Sequence, residues 1–335
     1  MSRACPSSRG EQLSQIHPPL ASLLAELEAS LRRVWEAEPR FLADAARRVL
    51  SGRGKRLRPC LLLLCAECAG GATASSVALA TVVELAHTAS LIHDDVVDDS
   101  ASRRGRQSAK ALWGNKISVL LGDYLIARAI ELLPAHDQER FMSHLARAVS
   151  RMCDGQIREL QSNGRPTSEA QYLEMVRAKT GALFGFCGEA GGLSAGGSAE
   201  LAGALGEYGE RFGVAFQLAD DILDLVGTDG RSGKPEGRDL CERRLTLPLI
   251  LAARRGGPPV QARLTRLLQA EAISRPELTA AREIAAATQA TEAAWARVRE
   301  YLQAAGDRLD VVPDGPAKQA LLALAGEQFP LPVMA

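Results

Sequence analysis

Glycines and prolines fall in clusters along this chain and divide a largely apolar sequence, rich in alanine and leucine, into helical blocks. The first block predicts a helix from Pro19 to Glu38, stopped by Pro39, and the second covers Arg40 to Leu50. A glycine-rich basic turn then leads into an apolar helix from Cys60 to Ala69. From Ser76 to Ser100 no glycine or proline interrupts, which predicts a long helix buried on much of its surface. Further helices are predicted from Lys116 to Leu133, Asp137 to Gln161, Glu169 to Lys179, Leu183 to Ala190 and Glu200 to Val226. Three or four shorter, alanine-rich helices follow Gly256, and the best loop candidates are 191–198 and 228–238. No sustained alternation of period two is bounded by turn residues, so no strand is predicted. With no long low-complexity linker and no fixed-period repeat, the pattern describes an all-α fold. A flexible segment over residues 1–18 precedes a single domain over 19–335.

Composition narrows the function classes. The 335 residues carry 40 basic and 40 acidic side chains, a neutral balance that argues against a general nucleic-acid binder. A hydrophobic fraction of 46% excludes wholesale disorder. Apolar runs such as Leu61 to Ala66 fall far short of the roughly 20 residues of a membrane span, so no integral membrane segment is expected. The first residues have no apolar core that would make a signal peptide, and an odd count of seven cysteines is not a secreted disulfide framework. The expected compartment is the cytoplasm. Cys65 and Cys68, with Cys60, have no second cysteine or histidine pair at zinc spacing and read as core side chains of a leucine-rich helix.

The informative chemistry is a carboxylate cluster that occurs twice. Asp94, Asp95 and Asp98 lie near the end of the long helix, and Asp220, Asp221 and Asp224 near the end of the 200–226 helix. Residues four apart share a helix face, so Asp94 pairs with Asp98 and Asp220 with Asp224. Carboxylates inside apolar helices need a positive counterpart. Magnesium suits them, because it takes a few carboxylates, keeps waters and bridges to phosphate oxygens. Cations accompany both clusters: Arg53, Lys55, Arg56 and Arg58 in one turn, Arg103 and Arg104 after the first cluster, Lys179 beside Thr180, and Lys234 after the second. Two acidic metal clamps combined with several cations suit a metal-bound diphosphate.

These residues stand in an order that resembles the trans-isoprenyl (polyprenyl) diphosphate synthase family. The matching elements are Gly54-Lys55-Arg56-Leu57-Arg58-Pro59, Glu84 to His87, Leu91 to Asp98, Arg103-Arg104-Gly105, Gly122-Asp123-Tyr124-Leu125, Lys179-Thr180, Gln217 to Asp224 and Gly233-Lys234-Pro235. The resemblance implies a helical bundle around a deep central cavity, a homodimer, and magnesium-dependent, head-to-tail condensation of isopentenyl diphosphate with an allylic diphosphate. Two to three Mg2+ ions are implied, held by Asp94, Asp95 and Asp98 and by Asp220, Asp221 and Asp224. By the same resemblance Lys55, Arg58, His87 and Arg104 contact isopentenyl diphosphate. Arg103, Lys179, Thr180, Gln217 and Lys234 contact the allylic diphosphate. Arg243-Arg244 stands where the family usually has Gly-Lys, which makes Arg244 the stand-in for the lysine.

Product length is read from the positions five and four before Asp94. Helical side chains lean toward the N-terminus, so Ala89 and Ser90 lie down the cavity from the carboxylates. Short-product relatives tend to carry aromatic residues there; two small residues predict a product longer than geranylgeranyl diphosphate. The facing wall is expected from Leu121, Leu125, Ile126, Ala129 and Leu132. A terpene cyclase would share one aspartate cluster but not Asp220-Asp221-Ile-Leu-Asp224 at the second site. A non-catalytic subunit of a heteromeric synthase is the remaining alternative.

Overall fold

The structure, a computed structural model, describes residues 9–36, 38–50, 56–103, 105–227, 237–270 and 272–327. Lys55, Arg104 and Lys234, and most of the 228–238 loop, lie outside the described residues. The helices are α1 (Arg9–Ile16), α2 (Pro19–Glu36), α3 (Arg40–Leu50), α4 (Leu57–Cys68), α5 (Ala74–Val97), α6 (Ala109–Glu131), α7 (Gln138–Ser162), α8 (Glu169–Val176), α9 (Ala182–Ser194), α10 (Ala199–Val226), α11 (Arg238–Cys241), α12 (Leu247–Gln269), α13 (Arg275–Ala287), α14 (Ala290–Gly306) and α15 (Pro316–Glu327). The all-α expectation stands, with one addition. A two-residue hairpin, β1 (Ser102–Arg103) with β2 (Arg106–Gln107), pairs antiparallel after the first aspartate cluster and is too short for a periodic signal.

Local chemistry explains the boundaries. Thr73 and Ser76 form a reciprocal capping box that starts α5, and Ser168 with Gln171 does the same for α8. Gly114 takes φ 77° and ψ 170° and kinks α6, so the straight part begins close to the predicted start at Lys116. In α12 a kink at Gly257 precedes Pro258 and Pro259, and the block boundary read at Gly256 is this kink. The segment expected to be flexible contains α1, whose Leu13 is buried and which packs on α2 and α15.

The chain forms two compact units. The first comprises Met1–Val149, Leu183–Glu210 and Gly306–Glu327. Its core is α4, where Leu61 through Ala66 are all fully buried, together with α5. Cys60, Cys65 and Cys187 are buried in this core, as the sequence reading of the first two expected, whereas Cys68, read the same way, is half-buried. α9 and α10 approach closely: a Cβ at Gly209 would stand 2.2 Å from the carbonyl oxygen of Phe184, a contact only glycine permits. α5 is long and apolar enough by composition to cross a membrane, yet its apolar window is 72% buried inside the protein. It therefore serves as a core helix here. The second unit comprises Ser150–Ala182 and Arg211–Ala305, with Tyr172, Phe212 and Trp295 buried and α12 packed on α8 and α13.

Candidate active site

In the first unit, α5 carries His87 and the first aspartate cluster. His87 Nε2 lies 3.0 Å from a terminal guanidinium nitrogen of Arg58, and that guanidinium stacks 4.3 Å above the centre of the Phe184 ring. The structure thus brings together two of the four residues assigned to isopentenyl diphosphate. Asp94 and Asp98 are half-buried at the C-terminal end of α5, and Asp98 caps the helix, its N–H donating to the Asp94 carbonyl. Asp95 behaves differently. It is 3% exposed and accepts a hydrogen bond of 2.7 Å from Arg103 Nε. The hairpin turns Arg103 back onto the helix that precedes it. His93 leans against α6, where Gly122 leaves room for its ring and the Val119 carbonyl oxygen lies 3.1 Å from its Nε2.

In the second unit, α8 is followed by a π-helical turn, Arg177–Gly181, that carries Lys179 and Thr180. Wider turns of this kind recur at functional sites. Lys179 Nζ donates to Glu159 Oε2 at 2.6 Å, and Arg244 reaches the same oxygen at 3.5 Å and Glu242 at 2.9 Å. Thr180 Oγ1 donates to Gln217 Oε1 at 3.0 Å, and Gln217 Nε2 donates to Asp221 Oδ1 at 2.7 Å. The buried Tyr172 hydroxyl donates to the other oxygen of Asp221. Burial raises the Asp221 carboxyl to about 7. The hydrogen bonds from Tyr172 and Gln217 oppose that rise, while nearby Asp220 and Glu159 add to it. Burial, with Asp221 and Asp224 close by, also drives Asp239 well above the usual carboxylate range. Asp220 is exposed. Asp224 accepts backbone N–H bonds from Arg238 (3.2 Å) and Asp239 (3.1 Å), an anion at the start of α11.

These side chains line a cavity of about 410 Å³, walled in part by Tyr172, Lys179, Thr180, Gln217, Asp221 and Arg244. Among the described residues no group of three or more His, Cys, Asp or Glu is gathered as a ready metal cage. Asp95, Asp221 and Asp224 are held by an arginine, a tyrosine–glutamine pair and backbone amides. Glu159, Tyr172 and Asp239 were not singled out in the sequence. Glu159 carried a readable signal only in hindsight, as the carboxylate one helical turn after Gly155. We expect Tyr172→Phe to cost about 1–3 kcal/mol, because a buried acceptor on Asp221 loses its donor; urea unfolding with unchanged slope measures this.

Residues 39–285 match the polyprenyl synthetase family. The chain is 38% identical over 278 residues to an octaprenyl diphosphate synthase from Haemophilus influenzae, covering 83% of this chain and 84% of the relative. Among solved structures it is similar to a decaprenyl diphosphate synthase from Rhodobacter capsulatus, with a TM-score of 0.89, 35% identity and coverage of 95% and 98%. It is also similar to a polyprenyl synthase from Caulobacter crescentus complexed with calcium and isoprenyl diphosphate, with a TM-score of 0.88, 34% identity and 98% of each chain covered. A match over so much of the chain, by sequence and by fold alike, places this prenyltransferase in the polyprenyl synthetase family.

Proposed function

We propose that this enzyme condenses isopentenyl diphosphate head-to-tail with an allylic diphosphate, in a magnesium-dependent reaction that yields an all-trans product longer than geranylgeranyl diphosphate. The observation that carries the reading is the second unit's cavity, where two cations, Lys179 and Arg244, meet the buried carboxylates of Glu159 and Asp221 and the half-buried one of Asp239. Names of the relatives, octaprenyl and decaprenyl synthases, support the long product.

The donor set fits magnesium. Every candidate ligand is a hard carboxylate oxygen, and Asp94, Asp98 and Asp220 retain exposed surface. Asp224 is half-buried like Asp94 and Asp98, and Asp95 and Asp221 assist from inside. Bound there, magnesium supplies positive charge to the diphosphate leaving group. The protein's own cations do the remaining electrostatic work. Breaking the allylic C–O bond leaves a carbocation and pyrophosphate. Arg103, Lys179, Lys234 and Arg244 stabilise the charge that develops on that pyrophosphate, and Thr180 and Gln217 orient it. At an effective dielectric near 20, each pair at 4 Å contributes about 4 kcal/mol. Lys55, Arg58, His87 and Arg104 hold isopentenyl diphosphate so that its double bond attacks the cation, and the departing pyrophosphate takes the proton.

The two small residues on α5 differ in setting. Ala89 has no exposed surface, whereas Ser90 is half-buried, its hydroxyl donating to the His87 carbonyl at 2.8 Å. Ser90 is therefore the position that meters product length. Ser90→Phe shortens the product by at least one isoprene unit, while Ala89→Phe overpacks the core and costs about 1–3 kcal/mol. The exposed apolar side chains Ile117, Val119 and Leu120 on α6 support a homodimer.

The test incubates purified protein with magnesium, labelled isopentenyl diphosphate and farnesyl diphosphate, and sizes the dephosphorylated alcohols by chromatography. Products beyond geranylgeraniol are expected. A ladder that stops at geranylgeraniol overturns the length, and no incorporation with any primer favours a subunit of a heteromeric synthase.

A further inference from the structure

The basic turn places a third arginine between Lys55 and Arg58, and the structure sends it inward. Arg56 precedes α4 in a left-handed conformation, φ 46° and ψ 32°, which a residue with a Cβ adopts only where its surroundings hold it. Its guanidinium supplies that hold. Nε donates to Glu28 at 2.7 Å, one terminal nitrogen donates to Glu84, and the other reaches the Leu50 carbonyl at 3.0 Å. Glu84 is 6% exposed and sits on α5, three residues before His87. Residues three apart share a helix face. One face of α5 therefore grips the turn twice, Glu84 on Arg56 and His87 on Arg58. The Phe184 ring closes the other side of the Arg58 guanidinium.

We propose that Glu84, acting through Arg56, is a positioning residue for the isopentenyl diphosphate site: it fixes the left-handed entry to α4 and so the place from which Arg58 reaches the diphosphate. The proposal rests on the reading of Arg58 as a contact to that substrate. Neither Glu84 nor Arg56 need touch the ligand. A planar guanidinium held by two carboxylates and a carbonyl defines the backbone more tightly than a solvated turn residue could.

Steady-state kinetics of three variants test this. Glu84→Gln is expected to raise the KM for isopentenyl diphosphate on the order of tenfold, the scale at which supporting partners act on a site. The KM for the allylic substrate, kcat and the melting temperature stay near the parent values, because Glu28 still pairs Arg56. Arg56→Met combined with Glu84→Leu removes the pair whole, a replacement that keeps stability while abolishing the grip. It should show the same raised KM, which separates positioning from folding. Arg58→Gln is the reference. If it raises the KM and neither other variant does, the positioning role is wrong and the substrate site stands. If Arg58→Gln leaves the KM unchanged, the site assignment fails and takes the positioning role with it. A uniform fall in kcat and rise in both KM values for Glu84→Gln would mark a general structural part and overturn the proposal.

Discussion

Replacing Asp94 by alanine lowers kcat by about 10³-fold, the effect of deleting one group that stabilises developing charge in an enzyme site, while the folded protein keeps its melting temperature. Asp94 sits half-buried near the C-terminal end of α5, between the buried Ile92 and Asp95. Its side chain does not belong to the core, so truncation opens no cavity among the leucines of α4 and α5. What changes is the charge available to a cation. A magnesium titration separates the two explanations. If Asp94 holds the ion, the variant needs more magnesium and recovers part of its rate at high concentration. If the loss is structural, magnesium makes no difference and thermal unfolding shifts. Asp95→Ala, by contrast, removes the partner of Arg103 and leaves that guanidinium without its buried carboxylate, so it disturbs the hairpin as well as the rate.

The second large effect comes from a glycine. In Gly155→Ala the new Cβ would fall 2.4 Å from the backbone nitrogen of Lys179 and 2.8 Å from its Cα. Those are main-chain atoms of the π-helical turn and cannot rotate aside, so α7 and the turn must separate. Lys179 and Thr180 move with the turn, and the reach of Lys179 to Glu159 and of Thr180 to Gln217 changes together. A displacement near 1 Å at a positioning element costs about 10²-fold in rate. The strain also lowers stability by about 1–3 kcal/mol. The matching control is Gly203→Ala on α10, where a Cβ meets nothing within 4 Å. It should leave rate and stability unchanged or slightly raise the latter, since alanine is the better helix former. Equal behaviour of the two variants would show that the close contact at Gly155 does not set the position of Lys179.

Much of this enzyme could be read along the chain because its helices are bounded by local chemistry. Proline before Arg40, a capping threonine before α5 and a capping serine before α8 act within one turn, and α3 begins and ends where the residue pattern placed it. The two aspartate repeats and the basic turn were visible for the same reason: their spacing is a property of a few neighbouring residues. The roles within each repeat were not visible. Helix periodicity says that Asp94 and Asp98 share a face and that Asp95 points elsewhere, yet only the hairpin, eight residues on, supplies Arg103 to occupy it. Tyr172, forty-nine residues before Asp221, decides that this carboxylate is buried and hydrogen-bonded. Glu159 belongs to the site because α7 passes within contact of the π-helical turn, a closeness that Gly155 permits and no local rule announces. The sequence by itself therefore determined most of the helices, the family and the inventory of charged groups. The tertiary structure alone decided which of those charges face one another, because the Coulomb and hydrogen-bonding energies that sort buried groups depend on distance in space and not on distance along the chain.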